Sequence, residues 1–201
     1  MPRQSRHIDR RQVSNLRRGL RFAGEVGRAP NLLVTLQFGM TACEPENVSA
    51  AFEKLRDHHF TRWLRHLTTR PGAPDYGPPT YAWVVEQASN LTHVHWLVYI
   101  PPSLQAAFRA KLRPWLVKVG GMILDEDAID VRPADTPTKA GLYLAKGIHP
   151  NHAKKHGVRY TSFQGAIQGK RCGVSKSIGP AAIRRHRQTM SVDRVQAACA
   201  D

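Results

Sequence analysis

Five residues of the chain have types and spacings that could do chemistry together: Glu86, His93, His95, Tyr143 and Lys146. His93 and His95 lie in Thr92-His93-Val94-His95-Trp96-Leu97-Val98-Tyr99-Ile100, closed by Pro101 and Pro102. The run is apolar, β-branched and aromatic, and the proline pair stops it, so it reads as a strand. Side chains alternate along a strand. The two imidazoles therefore look the same way, about 7 Å apart, while Val94, Trp96 and Val98 look the other way. Two nitrogen donors so placed can hold one metal ion, although two ordinary half-exposed histidines give the same pattern. Glu86 ends Trp83-Val84-Val85-Glu86 and breaks an apolar run. If the two strands pair as a hairpin without a bulge, Glu86 and His93 can be direct neighbours on one face. Glu86, His93 and His95 would then form a two-histidine, one-carboxylate set with open positions, suited to Mg²⁺, Mn²⁺ or another first-row divalent ion. The alternative for Glu86 is a solvent-facing charge near a strand end.

Tyr143 and Lys146 are three positions apart, which a helix places on one face. A phenol with a pKa of about 10 is a poor nucleophile at neutral pH. A nearby cation or metal favours the phenolate and makes attack feasible. A divalent ion can also polarise a phosphate and stabilise the leaving oxygen. These pieces compose into one reaction. The tyrosine attacks a phosphodiester of single-stranded DNA, a phosphotyrosine link stores the bond energy, and a 3′-hydroxyl is released. Taken alone, Tyr143 could equally be a helix tyrosine packed by its ring.

Several elements must position these residues. Residues 31–38 read as a first strand, with Leu32, Val34, Leu36 and Phe38 on one face and Leu33, Thr35 and Gln37 on the other. Residues 45–69 read as a long helix whose stripe is Val48, Phe52, Leu55, His59, Trp63 and Leu67. His58, His59 and His66 belong to its surface and stripe edge. A Pro- and Gly-rich loop leads to the strand at 80–87, and a short connection then gives a hairpin with the histidine strand. Ser103 is a candidate N-cap for the next helix, which Pro114 should kink or end. Residues 122–131 hold a further strand. Asp125, Glu126, Asp127 and Asp130 nearby read as a solvated loop. Thr136-Pro137 is a helix start, and that helix carries Tyr143 and Lys146 to Gly147. A last short helix is expected over 181–188.

The net charge of +15 over 201 residues exceeds what solubility requires. It points to a polyanionic partner, nucleic acid before a membrane surface. No run approaches the roughly 18 apolar residues of a membrane span. The arginine-rich N-terminus lacks the apolar core of a secretory signal. The three cysteines, Cys43, Cys172 and Cys199, form no Cys-x-x-Cys pair, and a reduced, cytoplasmic setting is expected. From Thr136 to Met190 there is no acidic residue. Three parts are expected: a basic N-terminal arm over 1–28, in which Ile8, Val13, Leu16 and Leu20 at helical spacing read as a short basic helix or else as a solvated tail, a core over 29–150 and a basic C-terminal extension over 151–201. Arg10, Arg11, Arg17 and Arg18 of the arm would hold DNA, with Lys154, Lys155, Arg159, Lys170, Arg171 and Lys176 of the extension.

As an ordered set, these motifs resemble those of the HUH endonucleases. His93-Val94-His95 is similar to their histidine-hydrophobe-histidine motif, and Tyr143-Leu144-Ala145-Lys146 to the Tyr-x-x-Lys motif of their replication-initiator branch. Residues 31–38 resemble their first, strand-forming motif, and Glu86 stands where these proteins often place a third metal ligand. The tail from Gln168 to Lys176 is loosely similar to tails of bacterial and phage replication proteins. The tyrosine follows the histidines, as in rolling-circle initiators and single-tyrosine transposases; relaxases have the reverse order. The resemblance implies an α+β fold with a central antiparallel sheet of about five strands and helices packed on it. It also implies metal-dependent, site-specific nicking of single-stranded DNA or an origin hairpin through a 5′-phosphotyrosine. Glu86, His93 and His95 would bind Mg²⁺ or Mn²⁺, Tyr143 would be the nucleophile, and Lys146 would orient or neutralise the phosphate. Only one candidate catalytic tyrosine is visible, and the sequence contains no P-loop, so a replication role implies a host helicase and polymerase. A single-tyrosine transposase or mobilisation protein is the nearest alternative. A non-catalytic binder of single-stranded nucleic acid is the alternative from another class.

Overall fold

The computed structural model describes residues 4–72, 74–88, 91–134 and 136–198. In chain order the elements are β1 (Gln4–Ser5), α1 (Arg10–Glu25), β2 (Leu32–Gln37), α2 (Val48–Lys54), α3 (Thr61–Thr68), β3 (Tyr81–Ala88), β4 (Leu91–Val98), α4 (Gln105–Gly120), β5 (Ile129–Pro133), α5 (Pro137–Leu144), α6 (Pro150–Ala153), β6 (Ile167–Gln168), β7 (Cys172–Val174) and α7 (Pro180–Ala198). The fold is α+β. Five strands form an antiparallel sheet in the order β5-β2-β4-β3-β7, and β1 pairs with β6 apart from it.

The period-2 pattern of the central strands divides the sheet into two faces. Leu32, Val34 and Leu36 of β2, Val94, Trp96 and Val98 of β4, and Trp83 and Val85 of β3 share one face. They pack with Phe52, Phe60, Phe108 and Trp115 of the helices that cover it. The other face is apolar at one end only, where Leu33, Ala82, Val84 and Leu97 meet α1 and α5. At its other end the same alternation brings up Thr35, Gln37, Glu86, His93 and His95.

Helix α1 corrects the expectation of a basic arm over 1–28. Val13 and Leu16 are fully buried, and with Leu20 they pack on Ala82, Val84 and Leu97. A capping box starts the helix: Gln12 N–H donates to Asp9 Oδ1 at 2.8 Å, and Asp9 N–H to Gln12 Oε1 at 2.9 Å. The arginines ride on the outer side of an integral core helix. The expected surface extension over 151–201 likewise contains the fifth strand, β7, paired with β3 from Ala82 to Val84.

The helix stripe over 45–69 also shifts. A π-helical turn, Leu55–Phe60, joins α2 to α3. The wider turn moves the buried positions from the expected His59 and Trp63 to Phe60 and Leu64. Ser103 caps nothing, because it lies inside a 3₁₀ turn, Pro102–Leu104, that precedes α4. Pro114 sits within α4 without ending it; Trp115 and Leu116 beyond it are buried, and this packing outweighs the lost hydrogen bond. The last helix, α7, runs well past the expected residue 188. Beyond the sheet, Glu126 of the acidic loop pairs with Arg113 at 2.6 Å, and Asp125 accepts from Asp127 N–H at 2.9 Å.

If α1 is core, Leu16→Ala should destabilise the protein by about 2–5 kcal/mol in urea unfolding, as a core cavity does. Removal of residues 1–25 should abolish the cooperative transition. A truncated protein that unfolds like the full chain would return these residues to the status of an arm.

Candidate functional site

The site grows out of the β3–β4 hairpin. The observed register pairs Glu86 with His93 and Val84 with His95, with no bulge between, so the three polar side chains share a face. On the other flank β2 pairs Gln37 with His93 and Thr35 with His95. The ligand atoms of Glu86, His93 and His95 lie within 4.8 Å of one another. Glu86 Oε2 is 3.4 Å from His93 Nε2 and 3.5 Å from His95 Nε2. Ligands bound at about 2.0–2.2 Å to one ion would be spaced in this way.

Glu86 is fully buried, and neither of its oxygens receives a well-directed hydrogen bond. Its nearest cation is Lys146, whose Nζ stands 2.9 Å from Oε2. Burial alone would push the Glu86 carboxyl up, but His93, His95 and Lys146 outweigh that and hold it down at about 2. Burial pushes the His95 imidazole below its ordinary value, against the pull of Glu86. Burial also opposes the charge of Lys146, yet Tyr143 and Glu86 keep its ammonium above the usual lysine value. At neutral pH the site thus offers an ionised carboxylate and a neutral imidazole, the forms a metal requires. Thr35 Oγ1 lies 3.1 Å from His95 Nδ1. If Nδ1 carries the proton and donates to it, Nε2 turns its lone pair toward the cluster. The buried, ionised carboxylate beside two imidazoles, a mixed nitrogen and oxygen donor set, fits a divalent ion.

Helix α5 and the turn that follows it supply the other two residues. Its inner side packs Leu144 in the core beneath α1, which leaves Tyr143 at the edge of the polar end of the sheet. Tyr143 is 45% exposed, and its Oη is 3.3 Å from His95 Nε2. Lys146 follows in a 3₁₀ turn, Ala145–Gly147, with Nζ 3.8 Å from the centre of the Tyr143 ring. All five residues line one open cleft of about 950 Å³, together with Gln37, Lys139, Arg159, Tyr160 and Gln164.

The residues expected to hold DNA do not converge in the same way. Of these only Arg159 lines the cleft. Arg17 and Arg18 line a separate groove beside Gly141 and His156, and the Arg17 guanidinium donates to His156 O at 2.7 Å. Arg10, Arg11, Lys154 and Lys155 are exposed elsewhere, and Lys170 and Lys176 border a hollow between α1 and the start of α7. Arg171 is a correction. Only 1% of it is exposed, and its guanidinium is spent on the backbone, donating to Ser5 O at 2.9 Å, Gln164 O at 3.3 Å and Gly165 O. It ties loop to strand and offers nothing to a phosphate. Thr35 and Gln37 were not singled out from the sequence, although both fall on the face of β2 opposite its apolar one. Their relevance needed the β2–β4 register. Tyr160 and Gln164 carried no local signal. No family model and no curated protein sequence matches the chain.

Two measurements probe this geometry. Titration with Mn²⁺ followed by electron paramagnetic resonance should find one bound ion, lost in Glu86→Gln and in His95→Ala. Lys146→Met should bind the ion more tightly, since the lysine shares its oxygen. In metal-free protein, the stability contributed by Glu86 should be complete above its ordinary carboxyl range and lost as the pH falls toward 2. Glu86→Gln should flatten that acid limb of the urea midpoint.

Proposed function

We propose that the chain is a metal-dependent, single-tyrosine DNA nickase and strand-transferase that initiates rolling-circle replication of a phage or plasmid. The observation that carries the reading is the placement of Tyr143 Oη 3.3 Å from His95 Nε2, beside a two-histidine, one-carboxylate cluster and a lysine, in one open cleft. Each part has a task in this chemistry. Lys146, Lys139 and Arg159 attract and orient the phosphodiester. Glu86, His93 and His95 would hold the ion, and their donor types suit Mn²⁺ and also admit Mg²⁺. A divalent ion bound there supplies Lewis-acid stabilisation of the phosphate oxygens and favours the phenolate.

Tyr143 Oη attacks phosphorus, a new O–P bond forms, and the P–O3′ bond breaks. The phenolic proton passes to solvent, and the departing oxygen takes up a proton as the 3′-hydroxyl. The 5′-phosphotyrosine keeps the energy of the broken ester. A later 3′-hydroxyl can attack the same phosphorus, release Tyr143 and rejoin a strand. The exposed Tyr143 side chain in an open cleft suits such an exchange, because a second strand has to reach it. Lysine at the third position after the tyrosine, and its order after the histidines, favour an initiator over a relaxase. The substrate is single-stranded DNA or an origin hairpin, and unwinding falls to a host helicase working with the polymerase. Among the described residues no helix is long and apolar enough to cross a membrane.

Incubation with single-stranded DNA of the natural replicon and Mn²⁺ should give a covalent protein–DNA adduct that runs slowly on a denaturing gel. Tyr143→Phe should form none, chelator should abolish it, and Glu86→Gln should lower its rate at least about 100-fold, the scale on which losing a charge-stabilising group acts. Equal adduct in Tyr143→Phe would refute the assignment and leave a nucleic-acid binder.

A further inference from the structure

The cleft holds a second tyrosine that the nicking chemistry does not use. Tyr160 lines it together with Lys139, Lys146 and Arg159 and is 71% exposed. Its backbone is fixed on both sides. Val158 is buried, and its N–H donates to Ala153 O at 3.0 Å. Ser162 N–H donates to Lys146 O at 3.0 Å, and Gln87 N–H to Gln164 O at 3.0 Å. The buried Arg171 then grips Gln164 O and Gly165 O. Gly165 has φ +66°, and a Cβ there would come within 2.6 Å of Gln87 O, so the backbone turns where only glycine fits. Residues 159–161 are thus a short span held between two anchored points, and they carry an exposed ring into the cleft beside an exposed arginine.

We propose that Tyr160 is a stacking platform for an unpaired nucleobase next to the phosphodiester that enters the site; this rests on the nicking reading above. Charge complementarity selects the occupant. Lys139, Lys146 and Arg159 line the same cleft, and its one acidic residue, Glu86, is buried against Lys146. A phosphate backbone is drawn to such a wall, and an aromatic face beside it takes the flat base that a polyanionic peptide lacks. Only an unpaired base offers a free face, so the platform also selects single strands over duplex. With the base held on Tyr160, the adjoining phosphate is placed in the cleft that Tyr143 and Lys146 also line. Tyr160 acts as a positioning residue, and the Ser162 N–H bond to Lys146 O ties its segment to the site.

The test uses the full chain carrying Tyr143→Phe, so that binding is measured without cleavage. Single-stranded 16-mers of mixed sequence, substituted in turn with 2-aminopurine, are titrated by fluorescence. One position should be quenched on binding. Tyr160→Ala should lose that quench and weaken binding about 5- to 100-fold, the range for one stacked base. Tyr160→Trp and Tyr160→Phe should restore both, and Tyr160→Leu should not. The slope of affinity against salt should stay unchanged in Tyr160→Ala and fall in Arg159→Ala, because only the arginine meets phosphate. Unchanged affinity in Tyr160→Ala, or full rescue by leucine, would overturn the platform while an adduct at Tyr143 left the nicking reading intact. Quenching that depends on Tyr160 without any Tyr143 adduct in the otherwise unmodified chain would do the reverse. Failure of the parent to bind any single strand would overturn both.

Discussion

A carboxylate with no exposed surface has to be compensated, and the compensation of Glu86 organises this protein. The desolvation of an ion is costly, and only close opposite charge or a bound cation offsets it. Around Glu86 three nitrogens do so: Lys146 at 2.9 Å, His93 at 3.4 Å and His95 at 3.5 Å. Each comes from a different local cause. His93 is delivered by the hairpin register, His95 by the alternation two residues on, and Lys146 by the 3₁₀ turn that follows α5. A one-residue slip between β3 and β4 would turn Glu86 away from the histidines and leave a bare charge inside the protein. The same buried charge that demands this register makes the cluster suited to a divalent ion.

The sheet can carry such a site because its second face is only half covered. Leu33, Ala82, Val84 and Leu97 are sealed by α1 and by Leu144 of α5, while Thr35, Gln37, His93 and His95 lie beyond that seal. Helix α5 sits at the boundary. Its apolar side anchors it, its last turn brings Tyr143 to the polar end, and the 3₁₀ turn beyond brings Lys146. The stability of α1 and the geometry of the site are therefore linked, since α1 is what holds α5 down.

The positive charge follows a similar division. Its bulk lies on outer surfaces away from the cleft, where it can act on a polyanion at long range. A smaller share is structural. Arg171 spends its donors on four acceptors in two segments, Ser5 and residues 164–165, and so fixes the loop that forms one wall of the cleft. Counting that arginine with the surface cations overstates the exposed positive charge and hides its part in shaping the site.

Much of this could be read from residue order because it depends on short-range rules. Strand alternation placed His93 and His95 together, the short hairpin brought Glu86 opposite them, and Thr136-Pro137 started the helix of Tyr143. Elements whose identity rests on distant partners were not legible. The arginine-rich segment at 10–25 shows helical spacing in Val13, Leu16 and Leu20, but its place in the core is hidden until the apolar half-face of the sheet is present to bury Val13 and Leu16. Cys172–Val174 is too short to declare itself a strand without the edge of β3, and the π turn at Leu55–Phe60 leaves no mark in a 3.6-residue count. The chain by itself thus determined the chemical types of the cluster and that His93 and His95 share a face, because the period of two along a strand is a property of the backbone; the bulge-free register that sets Glu86 against them is the structure's. Only the tertiary structure decided that Tyr143 and Lys146 reach that cluster, that Arg171 turns inward and that Tyr160 faces the cleft. Those outcomes depend on which buried surfaces meet, and no local spacing encodes that.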